Sequence, residues 1–275
     1  TMTVGGTAGY ASGLVLRRSA PQKSFVSLTV GISGTVTAVP LDNGNTIYTD
    51  DQAYELIAGT LTIHTGGVLS SDEKGYGAQQ GPQPGLPGRI GTAGNGAGHG
   101  GAGGMGNDPC CTTRTTAYGD VRNPVALGSG GGSGPGGGAV RLVISGTLIN
   151  DGLITANGAE GPAGQYGASG AGSGGSLLIQ AAALAGDGTI QANGGNAGNS
   201  YGAAGGGAGG RVAIDVANST YTGDVHAFGG MSYIPVNNEW VLDATASGGA
   251  GTVYWAQDDR LVIDNNDTPA TAAAG

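Results

Sequence analysis

Three segments of this chain repeat one order of parts. GGGAVRLVISGTLINDGLITANG (136–158), GGSLLIQAAALAGDGTIQANGG (174–195) and GGRVAIDVANSTYTGDVHAFGG (209–230) each read Gly-Gly, an apolar strand, a small-residue turn, a second strand, then a glycine-rich excursion. A fourth start follows in GGAGTVYWA (248–256), so strand starts at Ala139, Ser176, Arg211 and Thr252 lie 37, 35 and 41 residues apart. Repeats of this length are supersecondary units that bury their apolar faces only against their neighbours. AGTLTIHTGGVLSSDEKGYG (58–77) has the look of half a unit, and SFVSLTV, GTVTAV and NTIYT carry β-formers back to about Phe25.

Helix is excluded by the same words. No segment has an apolar stripe at helical spacing, and each glycine in a helix interior costs about 1 kcal/mol against alanine. The class is therefore all-β. Recurrence of one strand order predicts a β-solenoid, parallel β-helix-like, with a β-sandwich as the alternative because short strands at regular spacing fit that too. In the excursions glycine falls on every third residue: Gly158, Gly161, Gly164, Gly167 and Gly170 in one, Gly85, Gly88, Gly91 and Gly94 in another. Three is the period of polyproline II, and its all-glycine face admits a neighbouring backbone. Runs of four or five triplets are too short for collagen, so a glycine-rich polyproline II layer packed beside the strands is expected. The domains are then an N-terminal arm (1–24), a glycine-rich β repeat domain (25–256) and a C-terminal tail (257–275).

The words EKGYGAQQGPQPG, GSGGGSGPGGGAVRLVISGTLINDGLITANG, GAGSGGSLLIQAAALAGDGTIQANGG, GGGAGGRVAIDV and GGAGTVYW together resemble the glycine-rich repeat region of large bacterial surface and secreted proteins of adhesin-like type. The resemblance covers about residues 58 to 256. It implies architecture and an extracellular or cell-surface location, and no active site. The chain departs from the pattern after Gly230, where MSYIPVNNEWVLDATAS (231–247) replaces a glycine tract.

Ten Lys and Arg stand against nineteen Asp and Glu, a formal charge of −9. No basic face can be assembled from so few cations, which argues against nucleic acid. No run of eighteen apolar residues is present, so no membrane span is expected.

The search for chemistry finds little. Cys110 and Cys111 are adjacent, so they bridge each other as a vicinal disulfide, cross-link elsewhere, or remain two thiols; no CxxC metal pattern exists. The acids come as the doublets Asp50-Asp51, Asp72-Glu73 and Asp258-Asp259, whose side chains point to opposite faces of a strand and make poor catalytic pairs. His64, His99 and His226 lack second ligands at metal spacing. Turns at Asp42 and Asp264 offer oxygen for Ca2+, although Asx turns explain them equally well. Asn218 and Asn266 lie in glycosylation sequons. Neither catalysis nor a resident cofactor is expected.

Three functions compete. A solenoid has two open ends, and the strand-like GLVLRR (13–18), with Leu14, Val15 and Leu16, could add to a neighbour's sheet as an assembly arm. A homo-oligomer or polymer, serving as a structural filament, is the first expectation. The second is a surface adhesin or receptor-binding module, with a glycan met by Tyr76, Tyr166 or Tyr201 in the glycine tracts. A polysaccharide-active enzyme, suggested by fold analogy alone, is third.

Overall fold

The computed structural model describes residues 1–5, 12–18, 24–42, 44–89, 91–162, 169–198, 203–237 and 239–266. Its strands run β1 (Met2–Val4), β2 (Ser12–Arg17), β3 (Ser24–Val30), β4 (Gly34–Val39), β5 (Tyr54–Ile63), β6 (Val68–Ser70), β7 (Ala139–Asn150) and β8 (Leu153–Thr155). They continue with β9 (Ser176–Ala185), β10 (Thr189–Gln191), β11 (Arg211–Ser219), β12 (Asp224–His226), β13 (Tyr233–Val236), β14 (Glu239–Leu242), β15 (Thr252–Trp255) and β16 (Arg260–Val262).

These strands make two principal sheets. One holds β1-β3-β5-β7-β9-β11-β15-β16 in that order, the other β12-β10-β8-β6-β4-β2. From β5 to β12 the chain alternates between a long strand for the first sheet and a short one for the second. Within both sheets the pairing is parallel except where β16 turns back on β15. The segment that breaks the repeat, 231–247, holds the antiparallel hairpin β13-β14.

This arrangement corrects the expected architecture. All-β is right and the four strand starts fall on Ala139, Ser176, Arg211 and Thr252, paired in that register. The β-solenoid is not what forms: each unit divides its strands between an eight-stranded and a six-stranded sheet, and its glycine tract leaves both. Parallel neighbours equally exclude the antiparallel order of a Greek-key sandwich. A repeat specifies which residues line up from copy to copy; it does not specify how the copies close. The arm and tail are also part of the body. β1 and β2 pair with β3 and β4, and β16 lies within the tail segment.

Register stacks like on like. Leu14, Val36, Leu69, Ile154, Ile190 and Val225 form one column across the entire second sheet. Leu28, Leu61, Leu148 and Leu184 form another in the first. Both sheets contribute to a single apolar core. Each such buried side chain stabilises the fold by about 1.5–3 kcal/mol. One extra residue near Ser145 and Gly146 bulges β7 against both neighbours.

A second ladder is polar. The side-chain oxygen of Asp72 accepts from the backbone N–H of Asn157, Asn157 from that of Asn193, and Asn193 from that of Phe228. The ITAN and IQAN words of the repeat thus end in asparagine because that amide spans to the next copy.

Beside the sheets the glycine tracts form a layer of backbone held to backbone. Gly158 and Gly161 donate to the carbonyls of Asn193 and Asn196; Ala171 and Gly174 donate to Gly205 and Ala208; Gly194 and Ala197 donate to Phe228 and Met231. Each pair is three residues apart on both sides, the turn of a polyproline II chain and not the two-residue beat of a strand. Glycine is required where these backbones touch. A Cβ on Gly210 would stand 2.1 Å from the Gly175 carbonyl oxygen, and Gly251 meets Gly210 in the same way one unit on.

Candidate functional site

Two features stand out from this scaffold: its open first end and a cleft on the long excursion between β6 and β7. At the first end β2 is the edge of its sheet among the described residues. The N–H groups of Ser12 and Arg18 point inward to Ser33 and Val39. Alternate residues of a parallel strand face opposite neighbours, so the N–H and C=O groups of Gly13, Val15 and Arg17 face outward. Leu14 and Leu16 pack into the core while Val15 is 56% exposed, and Val26 on β3 is 80% exposed. At the far end, β12 and β16 are the outer strands and Leu261 and Ile263 are exposed. The polar ladder stops there at Phe228, whose ring stacks on His226 at 4.2 Å.

The cleft has a volume of about 750 Å³, within the range of small-molecule sites. Its walls come from the loop joining β4 to β5 (Thr46, Tyr48, Thr49, Asp51) and from the excursion (Tyr76, Tyr118, Gly119, Asp120, Asn123, Val125). Tyr48 and Tyr76 meet edge to face at 5.0 Å, and the Tyr76 hydroxyl donates to Asp51 at 2.8 Å. Burial first, then that hydrogen bond, raise the Tyr76 phenol far above its ordinary range. The Tyr118 hydroxyl donates to the Leu127 carbonyl at 2.6 Å. Asp120 accepts from the N–H groups of Arg122 and Asn123, which hold its carboxyl below the usual range.

Behind the cleft floor lies His99, fully buried, with its ring 4.7 Å from that of Tyr118. Arg211, also buried, donates through Nε to the Tyr118 carbonyl and through Nη1 to Thr252. Arg114 donates to the carbonyls of Gly103, Ala244, Thr245 and Ser247, tying the excursion to the segment after β14.

Leu14, Val15 and Leu16 form a strand as expected, but it belongs to the chain's own sheet, with only its outer edge on offer. Cys110 and Cys111 are bonded to each other, with Cys111 buried. Asp42 accepts from the Gly44 N–H and Asp264 from the Asn266 N–H, both as Asx turns. Among the described residues the one cluster of three ligand-type groups is Asp108 with the two disulfide-bonded cysteines. Asn218 is exposed on β11. His64 follows β5 directly, and His226 lies on β12 with its Nδ1 3.0 Å from Asn193 Oδ1. Tyr76 is buried and fills a gap between loops; Tyr166, Tyr201 and Gly164 lie outside the described residues.

Sequence reasoning missed the cleft, because Tyr48 of the β4–β5 loop meets Tyr76 and Asn123 from distant parts of the long excursion. The usable signal was aromatic and amide residues concentrated where the glycine repeat lapses, in 42–54 and 112–127. In comparisons with known proteins, no family model, no curated protein and no solved structure matches the chain.

Proposed function

We propose that this protein is a structural subunit of an extracellular or cell-surface filament, joined head to tail through the ends of its sheets. The observation that carries the reading is the outer edge of β2, a six-residue parallel strand with three residues' backbone groups and the Val15 side chain turned outward. Protected proteins shorten, bulge or charge such an edge. A contact between unlike ends of one chain is heterologous, and with a rotation that does not close a ring it produces an open fibre.

Charge favours the same polarity. Residues 1–40 contain Arg17, Arg18 and Lys23 and no acid, whereas 224–266 contain Asp224, Glu239, Asp243, Asp258, Asp259 and Asp264 against Arg260 alone. A head-to-tail contact would join a segment of net +3 to one of net −5, an attraction that would speed encounter and make it salt-sensitive.

The test is Val15→Pro. The Val15 N–H points outward, so proline removes a group needed for an added strand while leaving every bond from β2 to β4 in place. Light scattering and electron microscopy should show fibres from the parent chain at low salt and monomers from the variant, with thermal stability retained. Monomers only from the parent chain, or fibres unaltered in Val15→Pro, overturn the reading.

A further inference from the structure

We propose that the cleft between the β4–β5 loop and the long excursion is a binding site for a neutral saccharide. This goes beyond filament assembly, because the cleft lies on the excursion and not at a sheet end.

Its chemistry selects the ligand class. Among the described residues no lysine or arginine lines it, and the buried Arg211 behind Gly119 is committed to Tyr118 and Thr252, so the lining offers an anion little. Two carboxylates line it, yet each has a cation close by. Arg211 and Arg122 both act on Asp120, and Arg18 shares with Asp51 the walls of the adjoining small hollow. These arginines offset part of the carboxylate charge, which reduces the advantage of a cationic ligand over a neutral one. What remains is an aromatic surface, Tyr48 backed by the buried Tyr76 and flanked by Tyr118, edged by groups that bond hydroxyls: Thr46, Thr49, Asn123 and the two carboxylates. An apolar ring face surrounded by hydroxyl groups, which is a pyranose, matches that division of surface.

The floor supports the same assignment. Gly119 gives it no side chain, and the point where its Cβ would stand is 3.4 Å from Nε2 of His99. That nitrogen is buried and has no hydrogen-bond partner. Because Nδ1 meets the Gly174 carbonyl, Nδ1 carries the proton and Nε2 is an acceptor. A hydroxyl seated against Gly119 is a donor of the kind this acceptor lacks.

Rigidity makes the site selective. The hydroxyls of Tyr76 and Tyr118 are already bonded to Asp51 and Leu127, so their rings are fixed before a ligand arrives.

The experiment titrates the intact protein with maltotriose, cellotriose, chitotriose and galactotriose by saturation-transfer NMR and calorimetry, with tetramethylammonium as the cationic probe. At least one trisaccharide should bind with a Kd of about 1 mM or tighter, weakened at least about tenfold in both Tyr48→Ala and Asn123→Ala. Asn123→Ala should melt with the parent, and Tyr48→Ala, which gives up its contact with Tyr76, should melt somewhat lower while remaining folded. Val125→Trp, which fills the cleft from an exposed position, should abolish binding and serves if either alanine variant fails to fold. Absence of binding by all four sugars at about 10 mM, binding indifferent to the three substitutions, or tighter binding of tetramethylammonium than of any sugar would overturn the proposal.

Discussion

His99 Nδ1 lies 2.7 Å from the carbonyl oxygen of Gly174, 75 residues further along the chain, and this contact fixes the tautomer of a fully buried ring, whose neutral charge comes from the burial itself. Burial, opposed by that hydrogen bond and reinforced by Arg211, lowers the His99 pKa to about 4. Unfolded, the ring titrates near 6.5. Between those values the unfolded chain binds the extra proton, so stability is complete above about pH 6.5, falls as pH drops, and levels off near pH 4. At pH 5 the loss from this one group is about 2 kcal/mol relative to pH 7. Denaturant unfolding at the two pH values should show that slope reduced by this amount in His99→Gln.

The glycine layer predicts a sharp contrast between two alanine substitutions. Gly210→Ala puts a methyl group onto the Gly175 carbonyl, where neither backbone has room to retreat, and should destabilise by about 3 kcal/mol or more. Gly13→Ala meets nothing nearer than the Thr35 carbonyl at 3.9 Å and should change stability by less than about 0.5 kcal/mol. Thermal melts of the two variants against the parent chain check the pair.

Arg114 joins four carbonyls that no other side chain serves jointly. Arg114→Ala removes the donor to Gly103, Ala244 and Ser247, while Thr245 keeps the Met105 N–H, and should cost about 2 kcal/mol. Hydrogen exchange should then rise at 103–105 and 244–247 while β7, β9 and β11 remain protected.

The Cys110–Cys111 bridge encloses only two residues, so loop entropy allows it about 1 kcal/mol, against about 3 kcal/mol for a fifteen-residue loop. Reduction, or the double change Cys110→Ser with Cys111→Ser, should move the melting temperature only slightly. Non-reducing electrophoresis should show no cross-linked chains.

What was legible in the sequence was whatever repeats. Ala139, Ser176, Arg211 and Thr252 announce their strands because the same environment recurs at each, and Asn157 and Asn193 announce their ladder for the same reason. What was not legible has no second copy to compare. His99, Arg114 and Arg211 act through contacts, made once in the chain, with residues as far as 75 to 133 positions away. The cleft depends on how the 68-residue stretch 71–138 doubles back on the loop after β4, which no local preference records. Closure of the strands into two sheets was misread because neighbour-to-neighbour register is the same for many ways of turning the chain between them.

The constant register of β9 on β11 also bears on how such a chain changes size. Ser176 and Arg211 occupy equivalent places 35 residues apart, and each pairs with the copy before it. Excising 176–210 would bring Arg211 to the position Ser176 now holds, with the glycine before it unchanged. Unequal recombination within the repeats therefore lengthens or shortens the body by whole units without creating a new junction, and its length is a copy number open to inheritance.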